Sequence, residues 1–133
     1  MIYPMFAMVM ITIGIGLIAF VVRIKSVKSG EVRVRAYKLM GSEEYPEGVV
    51  KTTRCLNNQF EIPVLFYVGC LAYLSLEVLS GLGLVFAWAF VGLRVVHAYI
   101  LMTYNHLLHR LVVFWMSVLM VLCLWVQLIL KVA

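Results

Sequence analysis

The sequence predicts an all-α membrane protein, folded as a bundle of four transmembrane helices. Of its 133 residues, 65% are apolar and 13% are charged, whereas soluble domains average about 45–50% apolar and ~25% charged residues. The apolar residues form four long runs, and most basic residues lie next to the ends of those runs. A chain of this length is enough for one domain, so we expect residues 1–133 to fold as a single unit.

The four apolar runs predict membrane spans at about residues 2–22, 60–79, 84–104 and 111–130. Each run is close to the ~20 residues that cross a hydrocarbon core of ~30 Å. No basic region precedes the first run, which has no charge before Arg23, so we expect a retained span and not a cleaved signal peptide. Pro63 lies near the start of the second run, where proline is tolerated or kinks the helix.

The first connecting loop, residues 23–54, contains eight of the eleven basic residues. The positive-inside rule therefore predicts a cytoplasmic loop, with both termini outside, in a plasma or inner membrane. A nucleic-acid surface would need its basic residues on a soluble face, so the net charge of +5 reflects membrane topology instead. Within the loop, Gly41 to Gly48 is typical of a turn.

Polar residues at helical spacing mark the start of the second span and the middle of the third. Arg54, Asn58 and Glu61 are four and three apart, which places them on one face of a helix. Arg94 and His97 are three apart, and a deep arginine needs a carboxylate partner or a hydrated cavity. Glu61 is the best partner for Arg94. These groups either pair to hold the bundle together or form a polar binding site near the cytoplasmic leaflet.

The cysteines and histidines give weaker signals. Three cysteines without paired spacing are typical of packed free thiols. Cys55 follows Arg54, and a neighbouring cation would lower the pKa of its thiol. His97, His106 and His109 lack a nearby cysteine or acidic cluster, so we predict no metal site.

Two motifs together make the chain resemble the MAPEG family, the membrane-associated proteins in eicosanoid and glutathione metabolism. The first motif is Arg54-x-x-x-Asn58-x-x-Glu61. The second is Arg94-Val95-Val96-His97, followed thirteen residues later by Arg110. Each motif is short, but both stand in the right spans and in the right order, and the resemblance covers nearly the whole chain.

The resemblance implies a homotrimer whose sites lie between subunits near the cytoplasmic leaflet. Residues matching Arg54, Asn58, Glu61, Arg94 and His97 hold glutathione as co-substrate in such proteins. The arginine matching Arg110 stabilises the sulfur as a thiolate, and an arginine near the end of the first span, Arg23 or Arg35 here, contributes as well. An apolar co-substrate then arrives laterally from the lipid.

The chain departs from that pattern at three places. Glutathione-using members have a tyrosine at the position of Leu101, and Tyr104, on the same face, is the candidate replacement. Cys55-Leu56 stands where relatives often have Ala-His, and Leu111 where some have serine. From the resemblance, and despite these departures, we predict a glutathione-dependent transferase or peroxidase acting on lipophilic electrophiles.

The sequence is also compatible with a binding function, and less so with an exporter. One is a non-catalytic binding or transport-related bundle that recognises a small anion or a lipid. The other is a small multidrug exporter, which the sequence disfavours because its first span has no acidic residue.

Overall fold

The computed structural model describes residues 1–39 and 45–133, and that part of the chain is helical without strands. Its helices are α1 (Ile2–Lys28), α2 (Ala36–Leu39), α3 (Glu47–Asn57), α4 (Ile62–Ser75), α5 (Gly81–Met102) and α6 (Leu107–Val132). The four helices α1, α4, α5 and α6 correspond to the four apolar runs, so the predicted all-α membrane bundle is confirmed. The first half of the turn predicted from Gly41 to Gly48 lies outside the described residues.

Three of these helices, α1, α5 and α6, are long and apolar enough to cross a membrane. The fourth, α4, has 14 residues, or about 21 Å at 1.5 Å per residue, and is shorter than the run predicted at 60–79. It ends at Ser75 because the chain turns there, and Glu77 in this turn has a φ of 54°. The apolar run predicted as the second span therefore continues several residues beyond the end of α4.

Residues 47–57 form a separate helix, α3, and are not the first turns of the second span. Pro46 precedes the helix. Glu47 lies in its first turn and Arg54 in its last turn, where a negative and a positive charge interact favourably with the helix dipole. Its buried side chains are Val49, Thr52 and Cys55. The spacing of these residues gives one apolar face, which packs mainly on α1.

The bundle has two apolar clusters. The larger one joins all four bundle helices, and in it the rings of Phe66 and Phe90 stack with centroids 4.5 Å apart. The smaller one consists of Ile15, Cys55, Ala98 and Leu101. Large apolar side chains also point outward along all four bundle helices, as expected where lipid replaces water as the surrounding solvent.

A polar network joins α4, α5 and α6 at the end of the bundle near the α4–α5 turn. The Tyr73 hydroxyl donates to the Leu124 carbonyl at 3.1 Å and also contacts Gln127. Gln127 Nε2 donates to Ser80 Oγ at 2.5 Å, and Ser80 caps α5 by accepting from the Gly83 N–H at 3.0 Å. Each member therefore has a partner on another helix or at a helix end.

We expect Gly83→Ala to destabilise this end of the bundle. A Cβ at Gly83 would lie 2.9 Å from the Tyr73 hydroxyl oxygen and 3.0 Å from Gln127 Oε1, and such overpacking typically costs about 1–3 kcal/mol. Thermal unfolding in detergent should show a lower midpoint. The matched control is Gly92→Ala, also in α5, where a Cβ meets nothing within 4 Å; equal midpoints for the two variants would contradict the expectation.

Candidate functional site

A cavity of about 440 Å³ opens where the α3–α4 connection meets α5 and the start of α6. Its lining residues are Arg54, Asn57, Asn58, Glu61, His97, Leu101, Arg110, Leu111 and Phe114. The volume is within the ~300–1,000 Å³ typical of ligand pockets. Five of the residues predicted for the site, Arg54, Asn58, Glu61, His97 and Arg110, thus share one cavity.

The polar wall of the cavity lies where the helix is interrupted between α3 and α4. It is not one face of a continuous helix. Helix α3 ends at Asn57, and α4 begins at Ile62 with Pro63 in its first turn. Proline has no N–H to donate to the carbonyl four residues earlier, and its ring clashes with that carbonyl, so a helix from α3 cannot continue through it. Asn58, the C-cap of α3, and Glu61, the N-cap of α4, therefore lie on either side of the break.

Arg94, also predicted for the site, is completely buried and does not line the cavity, although it contacts Asn58, which does. Its Nη2 donates to the backbone carbonyl of Asn58, which the helix break leaves without a helical donor. Its Nε and Nη1 have no partner among the described residues. A buried guanidinium with two unpaired donors calls for an acceptor from outside the chain, either water or a ligand.

The expected ion pair between Glu61 and Arg94 does not form. Among the residues that the structure describes, the one ion pair joins Lys51 Nζ and Glu47 Oε1 at 2.7 Å, on consecutive turns of α3. Glu61 is exposed in the cavity wall. The prediction was wrong because the break turns the Asn58 carbonyl, and not the Glu61 side chain, toward Arg94.

His97 lies between Arg94 and the cavity surface, and only 2% of it is exposed. Its ring packs against Phe114, with centroids 5.9 Å apart, and its Nδ1 has no partner among the described residues. With Nε and Nη1 of Arg94, one turn earlier on α5, three buried polar atoms in this region have no partner among the described residues.

Arg110 enters the cavity from the first turn of α6, and Asn105 holds its orientation. Arg110 Nη1 donates to Asn105 Oδ1 at 2.9 Å. Asn105 has a φ of 48° and its N–H donates to the Ile100 carbonyl at 2.8 Å, which closes the end of α5. Asparagine is one of the few residues that tolerate this left-handed backbone. Lys51 Nζ of α3 also donates to the Thr103 carbonyl in this connection, at 3.0 Å.

The wall opposite the helix break is apolar. It is formed by Leu101 of α5 with Leu111 and Phe114 of α6. Leu101 is 1% exposed, so its side chain is fixed by packing against the smaller apolar cluster. The cavity therefore combines a charged side with an apolar side, and the sequence-based prediction lacked the residues of the apolar side as well as Asn57.

The predicted site residue Tyr104 does not line the cavity. Helix α5 ends at Met102, and Tyr104 is exposed in the connection beyond it, with its hydroxyl 3.3 Å from His109 Nδ1. The two first-span candidates also lie elsewhere in the single chain. Arg23 Nη2 donates to Thr53 Oγ1 at 3.0 Å, and Arg35 is exposed.

Cys55 is a packed thiol and not an activated one. It is fully buried in the smaller cluster, and burial raises its pKa to about 11, although the nearby Arg94 guanidinium opposes this shift. The alternative, a thiol activated by Arg54, is not supported, because desolvation of the thiolate has the largest effect on this pKa. The part of the chain that the structure describes also holds no group of three or more potential metal ligands.

We expect Cys55 to resist alkylation in the folded protein. With a pKa near 11, under about 1% of the thiol is ionised at pH 8, and no route for the reagent is open. Site-resolved mass spectrometry after N-ethylmaleimide treatment should find Cys55 unmodified and Cys123, which is partly exposed, modified. Complete labelling after unfolding is the control, and labelling of Cys55 ahead of Cys123 in the folded protein would contradict this assignment.

Comparison with known proteins identifies the family. The MAPEG family model matches residues 1–130, so the chain belongs to the MAPEG family. It is therefore an integral membrane protein of a family of glutathione-related transferases and synthases. No curated protein and no solved structure matches the chain.

Proposed function

We propose that this MAPEG protein is a glutathione-dependent transferase or peroxidase that acts on lipophilic electrophiles. The observation that carries the proposal is the charge pattern of one cavity: Arg54 and Arg110 with Glu61 in its wall, above the unpaired donors of Arg94. Glutathione has two carboxylates and one ammonium group. Arginines bind carboxylates through two parallel hydrogen bonds, and a carboxylate such as Glu61 suits the ammonium group.

In this proposal Arg110 is the catalytic residue. A free thiol has a pKa of ~8.5, and an adjacent guanidinium lowers it, so a larger fraction is the nucleophilic thiolate at neutral pH. The thiol proton leaves to water. The thiolate then attacks the electrophilic carbon, a carbon–sulfur bond forms, and the leaving group departs with the electron pair.

A hydroperoxide would react at the same sulfur. The thiolate attacks the terminal oxygen, the oxygen–oxygen bond breaks, and the alkoxide leaves as an alcohol after taking up a proton from water. A second glutathione then displaces hydroxide from the sulfenic sulfur, which gives glutathione disulfide and water. The apolar wall of Leu101, Leu111 and Phe114 is where a lipophilic co-substrate would lie.

The proposal includes the homotrimer that the family resemblance implies. Arg54 and Glu61 are exposed on the open side of the cavity, where a neighbouring subunit would cover them. Arg23 or Arg35 of that neighbour is the candidate for a further arginine, since neither lines the cavity of its own chain. The positive-inside rule would put this end of the bundle at the cytoplasmic leaflet, because the basic loop precedes α3.

We expect the wild-type protein to bind glutathione saturably, and Arg54→Ala or Arg110→Ala to weaken this binding roughly 10–100-fold. Hydrogen bonds to charged groups contribute about 1.5–3 kcal/mol each, which corresponds to that range. Isothermal titration in detergent, with glutathione and an S-alkyl analogue, measures the effect. Lys131→Gln, at the far end of α6, is the control; heat of binding that is absent in the wild type, or unchanged in both arginine variants, would refute the proposal.

A second candidate function is favoured by Leu101, which leaves the apolar wall without the hydroxyl that glutathione-using relatives place there. In that case the cavity binds a small anion or a lipid and no thiol chemistry occurs. The same preparation distinguishes the two functions. Glutathione binding with no thiol consumed in the presence of a model aromatic electrophile favours the non-catalytic binder.

We expect Asn105 to act as a positioning residue for Arg110. Asn105→Gly keeps the left-handed backbone but removes the oxygen that Arg110 contacts at 2.9 Å; Asn105→Asp keeps the contact but adds a negative charge. Both changes reduce the stabilisation of an anion beside Arg110, so the pKa of bound glutathione should rise toward ~8.5. Thiolate absorbance in the ultraviolet, followed against pH, measures this shift. An unchanged pKa in both variants, with glutathione still bound, would remove Asn105 from this role.

A further inference from the structure

A second, separate cavity lies where α1 leaves its apolar run and becomes basic. This groove has a volume of about 390 Å³. Phe20, Ile24 and Val27 of α1 form one side of it, Val34 and Tyr37 the other, and Lys28 its rim. Within one chain, the groove shares no lining residue with the candidate glutathione site.

The chain builds this groove by folding back on itself. Gly30 has a φ of 78°, a left-handed conformation that glycine adopts without strain, and it reverses the chain directly after α1. The Val32 N–H then donates to the Ser26 carbonyl at 3.2 Å. The Ser26 and Tyr37 hydroxyls hydrogen-bond at 2.7 Å, which fixes the second wall against α1.

The groove spans the boundary between hydrocarbon and headgroups. Phe20 belongs to the apolar part of α1, and Lys28 lies eight residues later, or about 12 Å along the helix axis. The headgroup region of a leaflet is roughly 5–8 Å deep. The apolar walls therefore begin within the hydrocarbon, and the basic rim lies at or just beyond the headgroups.

The charge around the groove is strongly positive. Residues 23–35 contain five basic side chains and one acidic side chain. Lys28 is exposed at the rim, and the surface that lines the groove is almost entirely apolar. Basic pockets beside transmembrane helices attract anionic lipid headgroups. An acyl chain complements the apolar walls, and the phosphate complements the cations.

We propose that this groove binds one anionic phospholipid, with an acyl chain along Phe20 and Ile24 and its phosphate at Lys28. An anionic phospholipid satisfies both features of the groove at once, because it joins a long apolar chain to a fixed negative charge. It would stabilise the segment from Gly30 to Tyr37 against α1.

Thermal unfolding in neutral detergent doped with phosphatidylglycerol tests this site. We expect phosphatidylglycerol to raise the unfolding midpoint of the wild type more than phosphatidylcholine does. Lys28→Gln should weaken the apparent affinity for phosphatidylglycerol about fivefold, the effect of one cation near a membrane surface. Lys25→Gln is the matched control, because it removes the same charge from the same helix at a position that does not line the groove.

Three outcomes would overturn the proposal. Equal midpoints in the two lipids would show that headgroup charge is not recognised. Equal loss of affinity in Lys28→Gln and Lys25→Gln would show a diffuse surface charge and no groove site. Stabilisation by glycerol phosphate equal to that by phosphatidylglycerol would show that the apolar walls are not used.

A change inside the groove tests the apolar walls separately. Val34→Trp fills the groove from an exposed position and should abolish the preference for phosphatidylglycerol, while native mass spectrometry shows an unchanged number of subunits. A change in subunit number with the lipid preference intact would mean that the groove is a contact between copies of this chain, and the lipid assignment would be wrong.

Discussion

The contact between the Arg94 guanidinium and the Asn58 carbonyl links the fold of this protein to its cavity. A helix end leaves carbonyls without donors, and a buried arginine needs acceptors. Pro63 interrupts the helix at the α3–α4 break, which leaves a carbonyl without a donor. Arg94 is buried in α5 and needs an acceptor. The two requirements meet at one hydrogen bond, which ties the break to the middle of the bundle.

This contact satisfies only one donor of Arg94. An uncompensated buried charge typically costs about 3–5 kcal/mol, and the two remaining donors, together with His97 Nδ1, have no partner among the described residues. Structural networks in natural proteins are usually complete. An incomplete network next to a cavity lined by Arg54 and Arg110 can be completed by water or by a ligand that brings acceptors with it, as a carboxylate does.

Residue spacing predicted which polar residues lie together, although the continuous helix on which that argument relied is interrupted. Arg54, Asn58 and Glu61 were expected on one helix face, and they line one cavity although the helix is broken between them. The short turn keeps them close, so the helical argument placed these three residues together although the geometry is different. It failed for the Glu61–Arg94 pair, because which oxygen faces a buried guanidinium depends on the exact path of the turn.

The same dependence on the path of a turn explains why Tyr104 was expected in the cavity and why the contact of Asn105 with Arg110 was not expected. Helical periodicity placed Tyr104 on the face of Arg94 and His97, but that periodicity holds only to the end of α5 at Met102. Beyond it the left-handed backbone at Asn105 redirects the chain, so Tyr104 is exposed and Asn105 contacts Arg110. An asparagine between two apolar runs is a recognisable signal for such a backbone, but its side-chain partner depends on the angle between α5 and α6.

The two ends of the bundle differ in how completely their polar groups are paired. At the α4–α5 turn, Tyr73, Gln127 and Ser80 form a network whose members are paired with one another or with backbone groups. Such a network holds three helices together and leaves little for a ligand to complete. At the opposite end, the cations outnumber their partners, and the groups that are paired, such as Arg110 with Asn105, are oriented into a cavity. Both ends belong to the same helices, so the difference arises from the side chains and connections at each end. It is consistent with the proposal that the end near Arg110 binds a ligand.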